Sequence, residues 1–454
     1  MKRPILLLLA FLFLFTAACG NGGSSEPPAE TVAAASSLPE PEPTEEAAPA
    51  RKIIIIARRE TNHLITELID RFNAESPDYV LMSRSYAGED GETQLHLDIL
   101  SGDRPDLLSG MCVSMEVYAA KGLLKDLYHF LDREGLRDEL VPSVLQALES
   151  EDGKLTQLCP DYLLYTCGEP QRFVEEADRW TLADLERICA ENPNLTLYGS
   201  QGAKFFLDTL LCGIMARFSD LEKQELHFDS PDFAAFLDLL MEMQGRAGSF
   251  SGNWDYRDGD VLLCPLNFLS VNGFAQTISN PQVESLRITG VPAEGGTGCL
   301  LGGPCRFAIL EGTGGEEGAW AFLRWLLEVE VQETMEYIPI RKSVLEAQLE
   351  RVREGIPETT VTKYVDPEGA ANGTNLKTVT QTIPAVPAVS EEQIALFRKI
   401  LGDVEGLYQD TMLHPCYAII LEECKAFFGG KKTAEETAAA IQSKLSIYLA
   451  ERAA

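Results

Sequence analysis

The stretch that decides the fold runs from Lys52 to Leu108 and opens with KIIIIA at positions 52–57. An uninterrupted β-branched run of this length is typical of a strand covered on both faces in a parallel sheet. Apolar residues then recur at helical spacing until Pro77. Three more elements follow: a predicted strand over Tyr79–Tyr86, a helix over Leu95–Leu100 and a short strand over Pro105–Leu108. This alternation with short links predicts βαβ units and a parallel sheet.

Downstream of this segment the pattern is mainly helical. The spacing of a capping box occurs three times, at Thr181 with Asp184, Ser390 with Gln393 and Thr433 with Glu436. Pro231 suits the first position of a helix after Ser230. Two strands, over Val261–Cys264 and Leu286–Val291, are predicted between helices, and the polar stretch Tyr364–Val389 is predicted to be a long surface loop.

The N-terminal residues have the pattern of a targeting segment. Lys2 and Arg3 precede an apolar run over Ile5–Phe15, which is too short for a membrane span and typical of a signal peptide. The small residues before Cys19 resemble a bacterial lipobox, so we expect residues 1–18 to be a signal peptide and Cys19 to be lipidated. Residues 19–50 are then a flexible tether, because they contain almost no large apolar side chain.

Composition excludes one large class of function. The chain has 454 residues, with 38 Lys and Arg against 70 Asp and Glu, for a formal net charge of −32. Nucleic-acid binding requires a basic surface, so we expect no nucleic-acid partner. Ten cysteines follow Cys19, without a CxxC pair, and most lie in apolar runs where cysteine packs as a small apolar residue. Cys299 and Cys305 remain the best candidates for a local disulfide.

Motifs of common enzymes and metal sites are missing from the sequence. It contains no GxSxG, HExxH or GxxxxGK[ST] motif, and its five histidines are scattered. Asp255–Asp260 resembles a calcium loop only weakly, because Arg257 occupies a position that needs an oxygen ligand. We therefore predict no catalytic residue, no metal and no cofactor. A glycosidase that uses a pair of carboxylates stays open, since acidic pairs are abundant.

Several stretches, in this order, resemble bacterial extracellular solute-binding proteins of family 1, the maltodextrin-binding type, in lipoprotein form. They are KIIIIA (52–57), RFNAESPDY (71–79), LHLDILSGDRPDLL (95–108), YAAKGLLKDLYHFL (118–131), EDGKLTQLCPDY (151–162), FDSPDF (228–233), GAWAFLRWLLEVEVQE (318–333) and IPIRKSVLEAQL (338–349).

The resemblance implies an α/β, two-lobed periplasmic-binding-protein-like fold of type II. Each lobe would be a sheet flanked by helices, and several crossings would form the hinge. It places the N-terminal lobe at residues 51–160 plus 290–340 and the C-terminal lobe at 161–289 plus 341–454. It further implies an extracytoplasmic, lipid-anchored monomer that captures a solute in the cleft and delivers it to the permease subunits of an ABC transporter.

By the same resemblance, side chains from both lobes should line the cleft. The residues expected there are Arg58, Arg59, Glu60, Ser109, Gly110, Asp161, Tyr162, Asn267 and Phe268. Trp254, in a polar loop, is either a sugar-stacking residue or an anchor of its own lobe. The arginines suit carboxylate or phosphate groups, or else pair with the acidic surface.

The resemblance favours an oligosaccharide or another carbohydrate as the solute. Two alternatives stay open at this level. One is a membrane-tethered glycan-active enzyme or adhesin, and the other is a binder of peptides or other solutes on the same fold.

Overall fold

A computed structural model describes most of the chain after the N-terminal segment. The described residues are 50–59, 62–88, 90–110, 113–150, 152–173, 179–198, 202–220, 225–248, 256, 259–365, 377–383, 385–408 and 415–453. Cys19 and the predicted signal peptide and tether lie outside them, so the predictions for this segment remain predictions.

The KIIIIA run forms the first strand, and helices and strands alternate after it. The elements before residue 160 are β1 (Lys52–Arg58), α1 (His63–Glu75), β2 (Tyr79–Ser85), α2 (Gly91–Ser101), β3 (Leu107–Ser109), α3 (Met115–Ala120), α4 (Tyr128–Glu134) and α5 (Pro142–Ala147). Strand β1 is parallel to both β2 and β3. The predicted βαβ units and parallel sheet are therefore confirmed.

The next part of the chain carries most of the second sheet and a group of long helices. Its elements are β4 (Asp161–Pro170), α6 (Leu182–Glu191), α7 (Ala203–Phe218), β5 (Ser219–Asp220), β6 (Glu225–Leu226), α8 (Pro231–Gly248), β7 (Cys264–Phe268), α9 (Val271–Ile278), α10 (Pro281–Glu284), β8 (Leu286–Ile288) and β9 (Cys299–Gly302). The predicted strand over Val261–Cys264 is displaced, because β7 begins only at Cys264.

The last part of the chain returns to the first sheet and then completes the second. Its elements are β10 (Phe307–Ile309), α11 (Glu316–Leu326), α12 (Val329–Gln332), β11 (Ile338–Pro339), α13 (Lys342–Glu354), β12 (Thr359–Val365), β13 (Lys377–Ile383), α14 (Glu391–Gly402), β14 (Val404–Leu407), α15 (Pro415–Phe428) and α16 (Ala434–Ala453). The three predicted capping boxes are present, at Thr181, Ser390 and Thr433.

Two main sheets organise the described residues. The first has the strand order β10-β3-β1-β2, and the second has the order β11-β4-β9-β14, with β7 and β8 also paired with β4. Helices pack against both sheets. The predicted α/β architecture with one helix-flanked sheet in each lobe is therefore confirmed.

Three described segments pass between the sheets. Leu158 bridges Phe307 of the first sheet just before β4 begins, β9 ends shortly before β10 begins, and β11 pairs with the start of β4. Strand β9 is hydrogen-bonded to β4. Residues 299–302 therefore belong to the second sheet, although the sequence assigned the whole range 290–340 to the N-terminal lobe.

The stretch predicted as a loop over Tyr364–Val389 contains regular structure. Strands β12 and β13 pair antiparallel over their full length, from Thr359 opposite Ile383 to Val365 opposite Lys377. The loop prediction was wrong for residues 364, 365 and 377–383, because the threonines of β13, although polar, are β-branched and fit a strand. The two strands form a separate two-stranded ribbon.

Eight cysteines have side chains that the structure describes, and all eight are buried and outside any disulfide bond. This confirms the interpretation of these residues as small apolar core residues, and Cys299 and Cys305 form no disulfide. Cys299 lies in β9, where its sulfur is 3.3 Å from Thr166 Oγ1. Among the described residues, no helix combines the length and apolar character needed to cross a bilayer.

Candidate functional site

The arginines predicted for the cleft follow β1 and have different environments. Arg58 is 8% exposed, and its guanidinium donates to Thr66 Oγ1 at 3.0 Å and to the Asn62 carbonyl at 2.7 Å. It therefore ties the end of β1 to the start of α1, which limits its use for a solute. Arg59 is more open and lies 3.9 Å from the Glu92 carboxylate. Glu60 lies outside the described residues.

Ser109 and Gly110, at the end of β3, are covered by the crossing segment between β9 and β10, residues 303–306. The Gly110 N–H donates to the Arg306 carbonyl at 2.7 Å, and its carbonyl accepts from the Arg306 guanidinium at 3.2 Å. A Cβ on Gly110 would lie 2.6 Å from Cβ of Arg306. The sequence predicted an open cleft position here, but Arg306 fills it and both residues are buried.

Asp161 and Tyr162 are neighbours on β4 and point to opposite faces of the strand. Asp161 is 3% exposed, accepts from the Tyr337 N–H at 3.3 Å and lines a cavity of about 120 Å³ between α1 and the crossing segments. Its burial raises the pKa of the carboxyl to about 7. Tyr162 is fully buried in the main core, in place of the cleft position that the sequence predicted.

Asn267 and Phe268 are neighbours on β7, so their side chains also point to opposite faces of the strand. Asn267 is exposed and lies opposite Tyr165 in the pairing of β7 with β4. Phe268 is 1% exposed and packs edge-on against Phe274, with ring centroids 5.1 Å apart. Phe268 is therefore a core residue and not the solute contact that the sequence predicted. Trp254 lies outside the described residues.

Part of one face of the second sheet is not covered by any described element. The opposite face, with Leu164, Phe268 and Leu301, is buried in the main core. On the face that carries Tyr165 and Asn267, Cys167 is covered by a cluster of the helices α6, α7, α8, α15 and α16. Tyr165 is half-buried and Asn267 is exposed, between that helical cluster and the crossing segments. An open sheet face beside the interlobe crossings is a suitable wall for a solute cleft.

The uncovered face holds a cavity of about 120 Å³, which we call the Tyr165 pocket. Its lining residues are uncharged and mix aromatic, aliphatic, hydroxyl and amide groups: Tyr165, Thr166, Phe205, Thr209, Pro265, Asn267, Val291, Gly298, Leu300 and Tyr408. In a chain with a net charge of −32, a pocket whose described lining residues are all uncharged disfavours ionic solutes and suits neutral hydroxylated ones.

Two tyrosines form the aromatic part of the pocket. The rings of Tyr165 and Tyr408 have centroids 4.5 Å apart and an angle of 34° between their planes. Tyr165 can occupy this place because β9 carries Gly302 beneath it. A Cβ on Gly302 would lie 2.6 Å from Cε2 of Tyr165 and 2.1 Å from Cδ1 of Leu163. Close approach of a side chain to the backbone here therefore requires glycine.

A larger cavity lies elsewhere in the described part of the chain. It has a volume of about 810 Å³ and runs along β8 between α14 and the α9–α10 region. Its lining includes the charged side chains Glu284, Arg287, Glu392 and Lys399, but none of the residues predicted for the cleft. The described residues also contain no group of three or more His, Cys or acidic side chains arranged to hold a metal ion.

Sequence reasoning missed Tyr165, Tyr408 and Phe205 of the pocket. The strand pairing gives a signal for Tyr165, because it shares a face with Asn267 when β7 lies beside β4. Tyr408 directly follows β14, which joins the sheet from more than 200 residues further along the chain. No local sequence pattern predicts that Tyr408 lies beside Tyr165. Phe205 is 37% exposed on α7, an unusual exposure for a large aromatic residue.

Known structures share this architecture. The sugar-binding protein MalE of Xanthomonas citri is 12% identical, with a TM-score of 0.53, and the match covers 88% of this chain and 98% of that one. A chitin oligosaccharide binding protein is 13% identical, with a TM-score of 0.51 and coverage of 88% and 99%. The cyclic α-maltosyl-1,6-maltose binding protein of Arthrobacter globiformis is 15% identical, with a TM-score of 0.50 and coverage of 88% and 99%.

At these identities the likeness establishes the fold. No curated protein matches the chain. The sequence model of the family described as bacterial extracellular solute-binding protein matches residues 67–353, which is more than half of the chain. That range includes most of both sheets and all the described residues of the Tyr165 pocket except Tyr408. The chain therefore belongs to the bacterial extracellular solute-binding proteins.

Proposed function

We propose that this protein captures a neutral oligosaccharide outside the cell and delivers it to the permease of an ABC importer. The observation that carries the proposal is the Tyr165 pocket, with its paired tyrosines and with no charged side chain among its described lining residues. The apolar face of a sugar ring packs on aromatic rings, while amide and hydroxyl groups bond its hydroxyls. Asn267 and Thr209 supply such groups.

The names of related structures agree with a carbohydrate ligand. Structures with a TM-score of 0.50 or above include proteins named for binding sugar, chitin oligosaccharide and a cyclic maltose derivative. Their ligands differ in linkage and in shape, so the names support the class of solute but not one sugar. An acidic saccharide is less favoured, because the neutral groups of Asn62 and Thr66 already engage Arg58.

Capture without hydrolysis is the simpler role for this pocket. A glycosidase needs two carboxyl groups facing each other across the bond that breaks, about 5 to 10 Å apart. The described lining of the Tyr165 pocket offers no carboxyl group at all. We therefore propose a binding protein and keep the tethered enzyme or adhesin as the competing role.

The location and partners follow from this role. We propose that lipid on Cys19 anchors the protein to the outer face of the bacterial cell membrane. Residues 20–50 would then hold the folded body away from the bilayer. The closed, solute-loaded form of a monomer would dock on the permease subunits, where ATP hydrolysis drives uptake.

Calorimetric titration tests the proposed solute class. The purified protein is titrated with maltotriose and chitotriose, and with digalacturonate as the acidic counterpart. We expect saturable binding of a neutral sugar, weak or no binding of digalacturonate, and recovery of the sugar unchanged. Binding of digalacturonate alone would contradict the neutral class, and the appearance of shorter sugars would favour the enzyme.

A further inference from the structure

A buried tyrosine lies behind the Tyr165 pocket. Tyr198 is 2% exposed and ends a short segment, residues 195–198, that runs beside residues 260–263 just before β7. The Thr196 N–H donates to the Asp260 carbonyl at 2.8 Å, and the Leu263 N–H donates to the Leu197 carbonyl at 2.9 Å. These bonds hold Tyr198 at the edge of the uncovered sheet face.

Two phenylalanines of α7 hold the ring of Tyr198. Phe206 stacks on it at 5.7 Å, and Phe205 meets it edge-on at 5.0 Å with an interplanar angle of 89°. Phe206 is fully buried, but Phe205 is 37% exposed and lines the Tyr165 pocket. The side chain of Phe205 therefore separates the ring of Tyr198 from the pocket.

The hydroxyl of Tyr198 has no hydrogen-bond partner among the described residues. Its polar neighbours are the Cys167 thiol and the hydroxyl of Thr209, which lines the pocket; both are close enough to interact with it, but neither has the geometry of a hydrogen bond. Thr209 donates its own proton to the Phe205 carbonyl at 2.9 Å. Burial raises the pKa of Tyr198 well above the usual tyrosine value, so its hydroxyl keeps its proton at neutral pH. A buried donor without a partner is costly and uncommon in a folded protein.

We propose that Tyr198 is a specificity-determining residue of the solute site, whose hydroxyl donates a hydrogen bond to an oxygen of the bound sugar once Phe205 moves aside. This inference rests on the proposed function. It gives the unpartnered hydroxyl a partner in the loaded state and gives the exposed phenylalanine a role. A site that hydrogen-bonds a sugar oxygen through a buried donor discriminates against solutes without that oxygen.

The test compares two substitutions that remove the same atom. Tyr198→Phe deletes the hydroxyl behind the pocket. Tyr162→Phe deletes another buried hydroxyl without a described partner, on the opposite face of β4. Both proteins are titrated with maltotriose and chitotriose, and their melting temperatures are measured without sugar. We expect Tyr198→Phe to weaken binding of the preferred sugar by about 2- to 13-fold, the value of one hydrogen bond.

Tyr162→Phe should keep wild-type affinity, and neither change should lower the melting temperature, because each removes an unsatisfied group. The preference between the two sugars should change in Tyr198→Phe alone. Wild-type affinities in Tyr198→Phe would overturn this inference while leaving the proposed function intact. Failure of the wild-type protein to bind any neutral oligosaccharide would instead overturn the proposed function, and this inference with it.

Discussion

Asp161 is a carboxyl group with almost no access to water. Its Oδ1 has no hydrogen-bond partner among the described residues, and burial raises its pKa to about 7. An unfolded aspartate has a pKa of about 3.9. Between about pH 3.9 and pH 7, the carboxyl of Asp161 is therefore protonated in the folded protein but ionised in the unfolded chain. Because the folded state binds more protons, the free energy of unfolding falls as pH rises through this range, and the penalty is complete above pH 7.

We predict that Asp161→Asn removes this penalty, because the amide stays neutral and can still accept from Tyr337. The variant should unfold near pH 4 with about the wild-type free energy and be more stable at pH 8 by roughly 2 to 4 kcal/mol. Urea unfolding at both pH values measures the difference. Asp103→Asn is the matched control, since that side chain is 73% exposed. An equal gain at both pH values would mean that charge is not the cause.

Adjacent residues on β7 should respond to mutation in opposite ways. Asn267 is exposed in the Tyr165 pocket, so Asn267→Ala should weaken sugar binding by about 1 to 3 kcal/mol and leave the melting temperature unchanged. Phe268→Ala removes a core side chain and should lower the free energy of unfolding by about 3 to 5 kcal/mol. Titration and urea unfolding of both variants separate the effects. Loss of stability without loss of affinity in Asn267→Ala would remove it from the site.

At the level of elements, the close contact between β9 and β4 depends on one glycine. Gly302→Ala would place a methyl group against Leu163 and Tyr165. We predict that it destabilises the protein by about 1 to 3 kcal/mol, as overpacking does, and weakens sugar binding because the ring of Tyr165 must move. Gly402→Ala is the control, since a Cβ there meets no atom within 4 Å. Unchanged sugar affinity in Gly302→Ala would show that the ring position of Tyr165 does not matter.

The sequence predicted elements whose signals are local. KIIIIA predicts a buried strand from its own composition, and the capping boxes at Thr181 and Ser390 need only residues three positions apart. Local sequence does not predict which face of the sheet each side chain of β4 points to. In DYLLYTCGEP nearly every residue of β4 is buried, so there is no alternation to show whether Tyr162 or Tyr165 faces the cleft. The pairing with Gly302, far along the chain, decides it.

At the scale of the whole molecule, we predict that the mature protein begins at a lipidated Cys19. Lys2, Arg3 and the apolar run before Cys19 motivate this. In the native host, we expect the mature protein to carry an acyl mass on Cys19 and to partition with membranes. Cys19→Ser should release it or leave the signal uncleaved. Mass spectrometry of the isolated protein decides the matter, and a mature N-terminus elsewhere without acyl mass would contradict the prediction.

Solute capture by two lobes also predicts a change in the whole body. The two sheets are connected by the three described crossing segments, where we expect hinge movement to be concentrated. A sugar that contacts both lobes stabilises the closed form in proportion to its preference for that form. We predict that saturating maltotriose or chitotriose, whichever binds, decreases the radius of gyration in small-angle scattering.

The same sugar should stabilise the folded protein by mass action. At 100 times the dissociation constant, the gain in the free energy of unfolding is about 2.7 kcal/mol. Asn267→Ala at equal sugar concentration is the control, because weaker binding must reduce both the stabilisation and the compaction together. Stabilisation without any change in scattering would mean that the sugar binds to one lobe alone. In that case the uncovered sheet face would still be the binding surface, but the hinge would have no part in capture.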